Sequence, residues 1–177
     1  MASLVVACDI PVSEVPLSPP VERDGPLVEI ARFDDAGQYI ETVETPSVIR
    51  NESAWRDHLN PLVFRVLREG ETEFAYGGQY DSHYEPGIYR CAGCNEALFD
   101  GATKYDSETG WPSFWAPIAK ENVYSEFDDS WGVRRLKVRC SRCGGQLGHI
   151  FKDGPAPTYL RYCINSTALS FVSAPSI

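Results

Sequence analysis

Cys91-Ala92-Gly93-Cys94 and Cys140-Ser141-Arg142-Cys143 decide how this chain folds. Each is a C-x-x-C turn that brings two thiols toward one centre, and residues 95–139 separate the two. Two such knuckles make the tetrahedral sulfur set that Zn²⁺ prefers, one ion per chain. Gly93 and Gly144-Gly145 give these turns backbone freedom. The competing reading is two disulfides, or one redox-active pair beside a structural one. A C-x-x-C disulfide closes a very small ring, so two in one chain would be unusual. Four thiolates fill the coordination sphere, so the metal holds the fold and offers no open position for chemistry.

Around this frame the chain changes character. From about Gly87 it reads as short strands broken by Gly and Pro. Arg135, Lys137 and Arg139 alternate with Leu136, Val138 and Cys140, the period of a half-buried strand. Leu147–Phe151 and Leu160–Phe171 are further strands around the turn Asp153-Gly154-Pro155. Upstream, Val28–Phe33 and Tyr39–Thr45 flank Asp34–Gly37 as a hairpin. Two short helices follow, the first capped by Ser53. The second is capped by Asn60 with Pro61 at its first position and closed by Gly70. Leu62, Val63, Val66 and Leu67 form its buried face. Residues 1–26, with five prolines, read as an extended flexible arm.

Composition narrows the function. Sixteen Lys and Arg against 25 Asp and Glu leave a net charge of −9 over 177 residues. Such a surface does not suit nucleic acid or anionic membranes, which need basic patches. No run approaches the roughly 18 apolar residues that span a bilayer. A monomer is expected. Val5-Val6-Ala7-Cys8 is similar to a bacterial lipoprotein cleavage box, but only seven residues precede the cysteine and none is basic. A cytoplasmic location is therefore expected, with a truncated lipoprotein signal as the alternative.

Outside the knuckles stand Cys8 and Cys163. If Leu160–Phe171 is a strand, Arg161, Cys163 and Asn165 project from one face. A guanidinium near a thiol lowers its pKa and sharpens a nucleophile. A buried core cysteine is the equal alternative.

Gly110-Trp111-Pro112-Ser113-Phe114, the two knuckles, Leu147-Gly148-His149-Ile150-Phe151, Asp153-Gly154-Pro155 and Arg161-Tyr162-Cys163-Ile164-Asn165-Ser166 occur in this order. Together with Trp55, Leu67–Gly70, Thr72-Glu73, Tyr80 and Gly87–Cys91 upstream, the set resembles the B-type methionine sulfoxide reductases. The resemblance runs from about residue 48 to 171. It implies a mainly β fold of two antiparallel sheets, tent-like, with a four-cysteine zinc site at one end and short N-terminal helices. The resulting division is a Pro-rich arm over 1–26, a hairpin extension over 27–47, the reductase-like domain over 48–171 and a tail over 172–177.

The resemblance also implies the chemistry. Cys163 would attack the R-sulfoxide of methionine and become a sulfenic acid. Arg161 would stabilise the thiolate, His149 supply a proton, Asp153 orient the site, and Asn165 contact the reacting sulfur. Trp111 and Phe114 would form the methyl pocket. Substrates would be oxidised proteins or small methionine sulfoxides, and the reductant thioredoxin-like or a small thiol. Four positions depart from the family: Gln146 replaces a histidine, Lys137 a glutamate, and Tyr159 and Glu108 each a glycine. Gln146 and Tyr159 are expected at the substrate. These departures keep a second reading open, a weak or inactive zinc protein of this fold whose aromatic pocket binds a different ligand. With no cysteine in residues 100–115, Cys8 is the candidate resolving thiol, the alternative being an unpaired thiol.

Overall fold

The computed structural model describes residues 22–129, 132 and 134–175. Strands β1 (Glu22–Phe33) and β2 (Tyr39–Arg50) form a long antiparallel hairpin. Helices α1 (Glu52–His58) and α2 (Pro61–Phe64) follow, α2 running on as a wider π-helical turn, Arg65–Glu69. Nine short strands follow among the described residues. They are β3 (Gly87–Cys91), β4 (Ala97–Asp100), β5 (Lys104–Tyr105), β6 (Ser113–Phe114), β7 (Val123–Asp128), β8 (Arg135–Cys140), β9 (Gln146–Phe151), β10 (Arg161–Ile164) and β11 (Leu169–Ser173). They form a six-stranded sheet ordered β5-β6-β10-β9-β8-β7 and a three-stranded sheet ordered β11-β3-β4. The fold is mainly β and antiparallel, as the sequence implies.

The core lies between the two sheets, where Tyr89, Leu98, Phe99, Phe114, Val138, Leu147 and Ile164 exclude water. Leu67, fully buried on the π-helical turn, seals one end of it. An added Cβ on Gly93 or on Gly145 would come within 3.1 Å of Leu67, so a glycine in each knuckle admits that side chain. The hairpin is fastened by Asn122, which is fully buried. Its Oδ1 accepts from Ala31 N, and its Nδ2 donates to the carbonyls of Ala31 and Ala97, each at 2.8 Å.

Several local expectations change. Glu22–Pro26 belongs to β1 rather than to an arm, because Arg23 and Asp24 pair with Ile49 and Val48, and Arg50 bridges Glu22 at 2.8 Å. The rest of the arm, Cys8 included, lies outside the described residues. Asn51, not Ser53, caps α1, its side chain accepting from Ala54 N. Leu62 is exposed and Phe64 buried instead, packed under the Arg56 guanidinium at 4.1 Å. Leu160–Phe171 is not one strand. It crosses from the large sheet to the small one through a 3₁₀ turn at Ser166–Ala168. The Glu73 carboxylate takes the backbone N–H groups of Ser166 (2.6 Å) and Thr167 (2.8 Å), so these cannot continue a ladder.

Candidate active site

The large sheet places a row of side chains directly opposite one another, strand by strand. In order they are Tyr105, Ser113, Cys163, His149, Lys137 and Glu126. Residues directly opposite in antiparallel strands share a face, with Cβ atoms about 5 Å apart. Cys163 therefore stands between Ser113 and His149. Arg161, two residues along β10, lies on the same face, stacked over Phe151 at 4.3 Å. Its guanidinium meets Asp153 in a two-point ion pair at 2.9 and 2.8 Å, which holds the Asp153 carboxyl below its usual range.

The Cys163 sulfur is contacted by the side chains of Thr109, Ser113 and Arg161. Ser107 ties the two hydroxyls together, at 2.8 Å from Thr109 and 2.7 Å from Ser113. All three contacts favour the thiolate. Burial opposes them and wins, so the thiol sits above its ordinary range. The arginine acts in the expected direction, but it does not make the resting group a thiolate.

His149 is buried, and its Nε2 lies 2.9 Å from Oδ2 of Asp128. Asp128 is itself buried, with Arg135 at 3.1 Å and Lys137 at 3.9 Å. Burial lowers the proton affinity of His149, Asp128 works against this, and Arg135 and Lys137 add to it. Sequence reading missed Asp128. The only signal was an acidic end to β7 facing a basic β8, which fixes the hairpin but not the approach of His149.

Two expected contacts are redirected. Phe114 is fully buried on the opposite face, stacked on Phe99 at 4.4 Å, because Ser113 takes the site face and side chains alternate along a strand. Asn165 lies beyond the end of β10. Its Nδ2 donates to Leu147 O at 2.9 Å and its Oδ1 accepts from Glu73 N at 3.1 Å, so its amide is spent on backbone. Glu73, otherwise only part of the family lead-in, is a hub. Its carbonyl accepts the Trp111 indole N–H at 3.1 Å while its carboxylate pins Ser166 and Thr167.

The departures from the family separate as well. Lys137 lies in the Cys163 row. Gln146 is buried, its Nε2 donating to Gly70 O at 3.1 Å, which seats it against the end of the helix rather than at an open substrate surface. Glu108 and Tyr159, the two residues standing for glycines, have φ of +59° and +58°. Both occupy left-handed backbone that glycine adopts without cost. Tyr159 is exposed.

The four knuckle sulfurs lie within 4.8 Å of one another, with Cys91–Cys143 at 3.6 Å and Cys94–Cys140 at 3.5 Å. A tetrahedral Zn–S₄ centre with bonds of about 2.3 Å separates its sulfurs by about 3.8 Å. The donor set fits zinc, and the sulfurs are too far apart for disulfides. The knuckles share one geometry: Asn95 and Gly144, each following a second cysteine, have φ of +62° and +68°. A groove of about 920 Å³ adjoins this end, lined by His58, Tyr80, Gly93 and Arg142. Neither Cys163 nor Trp111 lines it.

Residues 59–173 match the SelR domain family. The chain is 48% identical over 124 residues to the peptide methionine sulfoxide reductase MsrB of Methylibium petroleiphilum, covering 70% of this chain and 90% of that protein. This chain belongs to the B-type methionine sulfoxide reductase family. The MsrB proteins of Bradyrhizobium diazoefficiens (49% over 122 residues, 69% of this chain and 88% of theirs) and Pseudomonas aeruginosa (49% over 123, 70% and 93%) are similarly related. In this family member no helix among the described residues is long and apolar enough to cross a membrane.

Proposed function

We propose that this chain reduces methionine R-sulfoxide to methionine with Cys163 as nucleophile. The observation that carries the reading is the Ser113–Cys163–His149 row, with Arg161 on the same face and Trp111 held nearby through Glu73. The Cys163 sulfur attacks the substrate sulfur. The S–O oxygen ends on Cys163 as a sulfenic acid, the substrate sulfur gains two electrons, and methionine leaves. Two equivalents of an external thiol then return Cys163 to the thiol, giving a disulfide and water. The reductant is a thioredoxin-like protein or a small thiol. Cys8 is a further candidate for the first of these thiols, and Cys8→Ser would then stop multiple turnover with a dithiol protein.

The resting thiol brings its own proton. Asp128, flanked by Arg135 and Lys137, is a carboxylate and an acceptor, so neutral His149 keeps its proton on Nε2 and presents Nδ1 as a base. His149 then relays the proton from Cys163 to the departing oxygen. Arg161, fixed by Asp153, stabilises the sulfur anion as it forms. Trp111 offers the apolar wall for the ε-methyl group. The zinc held by Cys91, Cys94, Cys140 and Cys143 supplies structure. Lys137 is the departure that reaches the chemistry, through the charge it adds beside His149; Gln146 supports the helix end. The protein acts as a monomer on sulfoxides in polypeptides or in small molecules, without nucleic acid or membrane, and a cytoplasmic setting suits its thiol chemistry.

Single-turnover reduction of separate R and S epimers of blocked methionine sulfoxide, without reductant, tests this. One equivalent of methionine from the R epimer, absent in Cys163→Ser, is expected. No product from either epimer in folded, zinc-loaded protein would sink the enzyme reading.

A further inference from the structure

The chain between Gly70 and β3 has no regular structure, yet part of it is held against the Trp111 loop. Glu73 O accepts the Trp111 indole N–H, Tyr76 N donates to Gly110 O at 2.8 Å, and the Tyr76 hydroxyl donates to Glu108 O at 2.8 Å. Between these ties Phe74–Gly77 closes a tight turn, Gly77 N donating to Phe74 O at 3.1 Å. Tyr76 is the third residue of that turn, with φ +62°. Glycine or asparagine is favoured there, and a bulky side chain costs roughly 1–2 kcal/mol.

The strained turn displays apolar surface. Phe74 is 91% exposed and Tyr76 69% exposed. Nothing in the core requires the strain, since the turn buries neither ring deeply. Backbone outliers of this kind cluster at functional sites, and here both residues that Tyr76 is tied to, Glu108 and Gly110, are themselves left-handed, the first without glycine's freedom. The exposed rings begin one residue from the carbonyl that fixes Trp111, within the reach of neighbouring residues along an extended peptide at about 3.3 Å per residue.

We propose that Phe74 and Tyr76 form an apolar subsite beside Trp111 that takes a large apolar side chain flanking methionine sulfoxide in a polypeptide. This rests on the reductase reading above and narrows its substrate class. The exposed Glu108 on the same lip disfavours an acidic neighbour. An apolar residue next to an oxidised methionine marks a segment that belongs in a protein interior, so the subsite selects damaged, opened chains.

The test compares kcat/KM for the R epimer of N-acetylmethionine sulfoxide amide with pentapeptides whose sulfoxide is flanked by leucine, serine or aspartate. Wild type is expected to favour leucine over serine by about tenfold, carried by KM, as for burial of part of one apolar side chain. Aspartate should be poorest. Phe74→Ser should reduce the leucine advantage to within about twofold and leave the small amide unchanged, whereas Phe74→Leu should retain most of it. A wild type indifferent to flanking residue, or a Phe74→Ser variant that keeps the preference, would overturn the subsite. So would sedimentation showing a wild-type dimer that Phe74→Ser separates, because the patch would then be a self-association surface. Failure to reduce the amide and all peptides alike would overturn the parent reading, and the subsite with it.

Discussion

The proposed zinc end and the proposed catalytic face are built by opposite rules. At the zinc end two knuckles of one geometry close on Leu67, and their left-handed positions fall on Asn95 and Gly144, residue types that tolerate them. On the catalytic face, left-handed backbone falls on Tyr76, Glu108 and Tyr159, a thiol is buried above its ordinary range, and aromatic rings face water. The first region is consistent at every level and holds the fold. The second departs from local preference at the residues proposed for chemistry and recognition.

If that division is right, disturbing the zinc end should unfold the protein and disturbing the catalytic face should not. Stripping the metal should have the largest effect. Structural Zn²⁺ contributes on the order of 10 kcal/mol in small domains, so a strong chelator should abolish the cooperative thermal transition seen by circular dichroism. Metal analysis should return one zinc per chain. Retention of a sharp transition without zinc would break the comparison.

Leu67→Ala should come next, costing about 2–5 kcal/mol by urea unfolding because the knuckles cannot collapse into the space. By contrast, Asp128→Asn should act mainly on rate. Loss of the carboxylate frees the His149 tautomer, and kcat should fall about 10–100-fold, read together with imidazole ¹⁵N shifts.

Charge sharpens the contrast further. His149 has a lowered pKa in the fold, so the unfolded chain takes up that proton first as acid is added. Its contribution to stability is present above about pH 6.5 and is lost as pH falls toward the folded value. Lys137→Glu replaces a group that lowers this pKa with one that raises it. The acid limb of kcat/KM should move to higher pH, and an unchanged limb would remove Lys137 from the site. Cys163 runs the other way. Its raised pKa means that stability is lost as pH rises above the ordinary thiol value, and alkylation of Cys163 should stay slow at neutral pH.

The smallest effect is expected at Tyr159. Tyr159→Gly relieves a left-handed residue on an exposed loop and should raise stability by about 1 kcal/mol or less, measured as a urea midpoint. Any effect on turnover would show that the ring reaches the substrate.

Short-range pattern was enough for whatever a few neighbouring residues encode. The C-x-x-C spacing marked the four cysteines that cluster, the alternation of Arg135–Cys140 marked β8, and Asn60-Pro61 with Gly70 marked the start and end of the second helical segment. The ordered motifs gave away the family. Which groups meet across strands came from the folded chain alone, because that depends on register between segments far apart in sequence. Folding set Asp128 against His149, gave Glu73 to Ser166 and Trp111, and turned Phe114 into the core. It also seated Gln146 against the helix end at Gly70 and left the Phe74 ring exposed on the turn tied to Gly110. A spacing of two or three residues is a local constraint carried by the chain itself; a cross-strand partner is the outcome of the whole fold.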